Sequence, residues 1–285
     1  MDKVLFSFGH GYSARALAKR LVPRGWRIYG TTRDTTKADV LRAEGVIPLL
    51  WDGAEIESAL DEATHLLSSV GPGEDGDPVL ARHAADIARI APRLAWAGYL
   101  STTGVYGDHQ GEWVDESTPL TPSTRRGELR VAAEAAWQAI PDLPIHIFRL
   151  AGIYGPGRGP FEKVRQGTAR RIMKQGQVFS RIHVDDIAQG LDASINAPCP
   201  GTVYNLCDDD PAPPQDVIAF AAELLGQPLP EAVDFDSADL SPMARSFYSE
   251  SKRVSNRRIR DTLGVRLIHP DYRSGLKAMI ATEER

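Results

Sequence analysis

Two runs in this 285-residue chain combine residue types and spacing suited to chemistry. The first is Gly9-His10-Gly11-Tyr12-Ser13-Ala14, a G-x-G-x-x-A pattern directly after the apolar stretch Val4–Phe8. Glycines so placed let the backbone turn sharply and approach a pyrophosphate. A helix opening behind them offers N–H donors at the positive end of its dipole. The second is Ser101-Thr102-Thr103-Gly104-Val105-Tyr106-Gly107, whose hydroxyls stand at the end of a further apolar run. In doubly wound folds, the carboxyl ends of the strands face the crevice that binds ligand.

The end of the second apolar run sets cofactor choice. An NAD site normally carries Asp or Glu there to accept from the ribose hydroxyl; this chain has Thr31-Thr32-Arg33. A carboxylate would repel a 2′-phosphate, whereas Arg33 can pair with one, so NADP is expected, with NAD as the alternative. Asp52 either contacts the adenine edge or caps a helix. Gly9, His10, Gly11, Tyr12, Ser13, Thr32, Arg33, Asp52, Gly53 and Ser69 form the expected cofactor side.

Serial strand–helix alternation must position these groups. Strands are predicted at Val4–Phe8, Arg27–Thr31, Ile47–Leu50, His65–Val70, Trp96–Ser101, Ile145–Leu150 and Val203–Cys207. The first helix carries Ala14, Leu17, Ala18 and Leu21 on one face, and another helix is expected across Arg126–Ile140. Such alternation implies an α/β fold, a doubly wound parallel (Rossmann) sheet covered on both faces. After Leu150 glycine and proline cluster, and the chain reads as helices at Phe161–Lys174, Asp186–Ile195, Asp216–Leu225 and Arg257–Leu263. The expected division is a dinucleotide-binding domain from 1–156 and 178–207, with a smaller C-terminal substrate-type domain from 157–177 and 208–285.

Composition excludes other classes. The 33 basic and 38 acidic residues leave a net charge of −5 with no basic run, so no nucleic acid partner is expected. The two cysteines, Cys199 and Cys207, have no metal-ligand or disulfide spacing, and no metal is expected. No apolar stretch approaches the ~18 residues of a membrane span. A cytoplasmic protein with a small-molecule substrate and no membrane partner follows.

Several motifs in order resemble the extended short-chain dehydrogenase/reductase family of the NAD(P)-dependent epimerase/dehydratase type. They are Ser101–Gly107, Arg149-Leu150-Ala151-Gly152-Ile153-Tyr154-Gly155-Pro156-Gly157, Arg181-Ile182-His183-Val184-Asp185-Asp186, Tyr204-Asn205-Leu206 and the tail around Pro270–Leu276. The resemblance spans nearly the whole chain, with two departures. Phe8 stands where the family usually has its first glycine. The family's Tyr-x-x-x-Lys pair, counted back from Glu134, becomes Arg126 and Arg130, as in an atypical subgroup lacking the pair.

In the family that tyrosine moves a proton while hydride passes to or from nicotinamide, and the lysine holds the ribose. Arginine cannot be deprotonated in proteins, so Arg126 is no base. Arg130 either donates to the ribose, binds an anion together with Arg126, or belongs to a solvated basic face. By resemblance Thr102, Tyr106, Arg126 and Arg130 are the catalytic candidates. Arg158, Arg181 and His183 are the substrate-side ones, with His183 alternatively a core histidine. The implied function is an NADP-linked reductase, epimerase or dehydratase-like enzyme on a small polar substrate, or else a nucleotide-binding or redox-sensing protein without turnover. A homodimer through Ala81–Ala91 and Ala132–Ala139 is the expected assembly, although a sheet-facing stripe accounts for those alanines equally well.

Overall fold

The computed structural model describes residues 3–283. In chain order its first half runs β1 (Val4–Phe8), α1 (Tyr12–Leu21), β2 (Arg27–Thr32), α2 (Thr35–Ala43), β3 (Ile47–Leu50), α3 (Ile56–Glu62), β4 (His65–Ser68), α4 (Pro78–Ile90) and β5 (Trp96–Thr102). Then come β6 (Trp113–Val114), α5 (Arg125–Gln138), β7 (Ile145–Leu150), β8 (Gly152–Tyr154), α6 (Phe161–Arg165), β9 (Arg171–Met173), β10 (Arg181–His183), α7 (Val184–Asn196) and β11 (Val203–Leu206). The last elements are α8 (Pro214–Leu224), β12 (Ala232–Asp234), α9 (Pro242–Phe247), β13 (Arg253–Val254), α10 (Arg257–Leu263) and α11 (Tyr272–Glu283).

Seven strands pair in parallel in the order β3-β2-β1-β4-β5-β7-β11. All five residues of β1 and all six of β7 are buried, as strands covered on both faces require. One apolar layer joins Leu17 and Leu21 of α1 to Ile187 and Leu191 of α7. The opposite layer joins Phe6, Leu60, Ile87, Ile90 and Trp137. Strand order reverses between β1 and β4, so the turns after Phe8 and Ser68 flank the crevice. A third apolar cluster gathers Tyr154, Phe161, Val164, Ala221, Tyr272, Leu276 and Met279 from the C-terminal segments.

Element boundaries depart from the sequence expectation by one or two residues, except at Phe161–Lys174. That helix stops at Arg165, because Gly167 turns the chain at φ +66. Arg171–Met173 instead pairs as a strand with Ala232–Asp234. The alanine faces also differ from a sheet-facing stripe. Ala81, Ala84, Ala85 and Ala88 of α4 and Ala132, Ala135 and Ala136 of α5 are exposed, while Ile87, Ile90, Ala133 and Trp137 turn inward. Among the described residues no helix is long and apolar enough to cross a membrane.

Candidate active site

The two glycines of the first turn serve different ends. Gly9 sits at φ +67, and a Cβ there would lie 2.7 Å from Val70 Cγ2, so the fold itself demands glycine. Gly11 has extended backbone, and a Cβ there would meet nothing nearer than the Gly9 carbonyl at 3.6 Å. Nothing within the protein explains a bare Gly11, but a close-lying ligand would. Gly11 also opens α1 with no side chain capping the helix and no acid in its first turn. Those N–H groups are therefore open to an anion.

Beneath the turn, Gly9 N–H donates to Thr31 Oγ1 at 2.8 Å and His10 N–H to the Thr31 carbonyl at 2.9 Å. The His10 ring lies against Gly30, where a Cβ would come within 2.7 Å of its Cγ. Neither ring nitrogen has a partner, and burial holds this imidazole neutral down to about 4. His10 therefore packs the turn rather than offering a charge. Ser13 is buried on α1, and the buried Ser69 Oγ beyond β4 lacks a hydrogen-bond partner. Tyr12 leans outward: its hydroxyl donates to the Pro156 carbonyl at 3.0 Å, and Arg158 lies 5.8 Å from its ring centre.

On the ribose side, Thr32 Oγ1 accepts from Asp34 N–H at 3.1 Å, and Arg33 is exposed. No hydrogen bond or ion pair among the described residues includes Arg33, so its guanidinium is unspent. Asp52 is not free: it forms an ion pair with Arg82. Gly53 N–H donates to the Leu50 carbonyl at 2.9 Å, closing the turn after β3.

The catalytic candidates separate. Thr102 Oγ1 accepts from Gly104 N–H at 3.2 Å, which leaves the hydroxyl proton to donate. Arg130 reaches back over the sheet, donating to the Leu100 carbonyl at 2.8 Å and the Tyr99 hydroxyl at 2.9 Å. Its other terminal nitrogen would stand 3.1 Å from a Cβ on Gly71, beside the end of β4. Arg126, one turn earlier on α5, is exposed, with its guanidinium carbon 5.0 Å from the centre of the Phe247 ring.

Tyr106, a catalytic candidate by resemblance, turns inward. Its side chain is fully buried, and its hydroxyl donates to Asn205 Oδ1 at 2.7 Å while accepting from Arg149 at 3.0 Å. Arg149 in turn makes a buried ion pair with Glu134 at 2.7 Å, and Ser101 Oγ donates to the same carboxylate. The network Ser101–Glu134–Arg149–Tyr106–Asn205 thus ties β5, α5, β7 and β11 together under the site. Every residue in it stood in a recognisable motif, but no spacing in the sequence reveals that they bond to one another.

The substrate-side candidates are partly engaged. Arg181 donates to the Phe179 carbonyl at 2.9 Å and the Ala212 carbonyl at 3.0 Å. His183 caps α7 through Nδ1, which accepts from Asp185 N–H at 3.2 Å, and burial holds it neutral down to about 4. His183, Asp185 and His269 bring ligand-type atoms within 4.8 Å of one another. The Nδ1 lone pair of His183 is already used in the cap, so this group reads as helix capping. Sequence reasoning missed Asp208. It is almost fully buried with neither carboxylate oxygen hydrogen-bonded, and burial, opposed by nearby Arg181, raises its pKa to about 8.

Known proteins resemble this chain over nearly its whole length. A solved structure of a functionally unknown conserved protein from Silicibacter pomeroyi is 63% identical, covering 98% of this chain and 99% of that one, with a TM-score of 0.96. A 3-diazoavenalumate denitrifying reductase from a Streptomyces species is 26% identical, covering 96% of this chain and 99% of that protein. A human epimerase family protein, solved with NADPH, shares the fold at a TM-score of 0.73 and 18% identity, covering 98% of this chain and 99% of that one. A solved structure described as a putative NAD-dependent epimerase/dehydratase, from Methylobacillus flagellatus, is 26% identical, covering 100% of this chain and 99% of that one, with a TM-score of 0.73. No protein-family model matches this chain. The present site carries two arginines, Arg130 tied to the sheet and Arg126 in no hydrogen bond or ion pair among the described residues.

Proposed function

We propose that the chain is an NADP(H)-dependent oxidoreductase with epimerase/dehydratase architecture, acting on a small polar substrate through a site without the usual tyrosine. The observation that carries this reading is the bare Gly11 at an uncapped helix start, with Arg33 unspent at the end of β2. Gly11 and the first turn of α1 would hold the pyrophosphate. Arg33 would pair with a 2′-phosphate, and Arg130, through its nitrogen beside Gly71, would face the nicotinamide ribose. When bound, the dinucleotide supplies or accepts hydride.

This chain's own residues then orient rather than titrate. Arg130 is fixed by two hydrogen bonds to β5 residues and stays cationic throughout. Thr102 would donate its hydroxyl proton to a substrate oxygen and hold it in register. With arginines at both positions of the usual pair, the reaction favoured is a net reduction whose proton comes from solvent. The reductase among the relatives supports this over epimerisation, which needs proton exchange in both directions.

The test is NADPH oxidation, followed at 340 nm, against carbonyls, quinones, diazo compounds and sugar nucleotides. Substrate-dependent oxidation supports an enzyme. Tight NADPH binding with no oxidation by any of these classes supports instead a binding or sensing protein, which the arginines at both positions of the usual tyrosine–lysine pair favour. For assembly, we propose a homodimer through the exposed alanine faces of α4 and α5, where small side chains let helices approach closely.

A further inference from the structure

Three arginines open the region of α5, and their charges are spent differently. Arg125 pairs with Glu74 at 2.8 Å and Glu128 at 3.2 Å. Arg130 is bound to Tyr99 and Leu100. Arg126 enters no hydrogen bond or ion pair among the described residues, and its guanidinium lies against the Phe247 ring at 5.0 Å. Phe247 is itself 49% exposed.

The placement of this pair is built. Gly127, next to Arg126, abuts the turn after Thr102: a Cβ there would come within 2.9 Å of the Gly104 carbonyl. On the other side, Tyr248 anchors the end of α9 by packing against Phe179 at 5.4 Å and Phe235 at 5.3 Å. Lys252 fixes the following segment, donating to the Gly107 carbonyl at 2.7 Å and pairing with Glu250 at 2.6 Å. Arg126 and Phe247 are thus held together from two distant stretches of chain, and both are exposed.

We propose that Arg126 and Phe247 form a clamp for a flat carboxylate substrate, the guanidinium taking the carboxylate and the phenyl ring the conjugated or aromatic body. This rests on the reading of the chain as an NADP(H)-linked oxidoreductase and names its substrate class. A guanidinium matches a carboxylate bidentately, and an aromatic face adds area for a planar group while leaving a flexible chain poorly covered. Among the described residues no acid is ion-paired with Arg126.

The experiment is calorimetric titration of trans-cinnamate into both the free and the NADPH-saturated protein, with cinnamamide and hexanoate as the uncharged and the non-planar controls. Cinnamate is expected to bind at least about tenfold more tightly than either control, the scale of one charge-assisted pair. Arg126→Gln should remove the preference for cinnamate over cinnamamide, and Phe247→Leu the preference over hexanoate, each with NADPH affinity unchanged. Equal binding of the three probes, or an Arg126→Gln protein that keeps its preference, overturns the clamp. Failure of NADPH to bind would overturn the cofactor reading instead, and cinnamate selectivity in the free protein would still decide for or against the clamp.

Discussion

Arg126 and Arg130 stand one turn apart on α5, yet Arg130 is fastened to the Leu100 carbonyl and Tyr99 hydroxyl while Arg126 touches the Phe247 ring. Side chains four apart share a helix face, so one face carries a positioning cation and an open one. The arginine pair is therefore not a simple replacement of one acid–base couple. Arg130→Met should lose both bonds to β5 residues and weaken dinucleotide binding. Arg126→Met should leave that binding intact. Parallel NADPH titrations of the two variants test the distinction, and equal losses would contradict it.

Gly9 and Gly11 should fail in different ways. Gly9→Val forces a side chain into Val70 at a positive φ, so a lowered melting temperature is expected. At Gly11→Val the added Cβ makes only an ordinary 3.6 Å contact with the Gly9 carbonyl, so the protein should melt normally and lose dinucleotide affinity. Thermal unfolding and calorimetry on both variants separate the two effects.

The buried network should matter to the fold rather than to turnover. Glu134→Gln leaves Arg149 buried without its charge partner, and breaking such a pair costs about 3–5 kcal/mol. Tyr106→Phe strands an Arg149 donor and an Asn205 acceptor, at about 1–3 kcal/mol. Urea unfolding should show both losses. Unchanged stability with abolished activity for Tyr106→Phe would return the phenol to the reaction.

Stability should peak near neutral pH. Burial holds His10, His65 and His183 neutral down to about 4. The unfolded chain takes up these protons below about 6.5, so stability falls as pH drops from there towards 4. Asp208 works the other way: its folded pKa of about 8 keeps a proton that the unfolded chain releases, so stability declines as pH rises. Three groups outweigh one on the acid side, and above about 6.5 Asp208 acts alone among these four. Melting temperatures across this range should show a maximum, and Asp208→Asn should flatten its alkaline limb. An unaltered alkaline limb in that variant would show Asp208 to be ionised when folded.

How much of this was legible follows from sequence distance. The strands β1 to β5 could be read because each is a short apolar run closed by a turn, and Gly9–Ala14 because its spacing is local. Phe161–Lys174 misled because the partner that makes Arg171–Met173 a strand lies at Ala232–Asp234. Arg126 and Arg130 were visible as a pair of positions, but their different partners were not. Phe247 arrives from a segment whose pattern gives no sign that it folds over α5. Arg33 could be placed at the end of β2 from the local pattern alone, and the structure leaves it exposed.

The most direct measurement is calorimetric titration of the unmodified protein and Arg33→Asp with NADPH and NADH. The unmodified protein should bind NADPH about tenfold to a hundredfold more tightly than NADH, the worth of a charge-assisted bond to the 2′-phosphate, and Arg33→Asp should reverse the order. Equal affinities in the unmodified protein, or no binding of either dinucleotide, would contradict an NADP(H)-dependent enzyme.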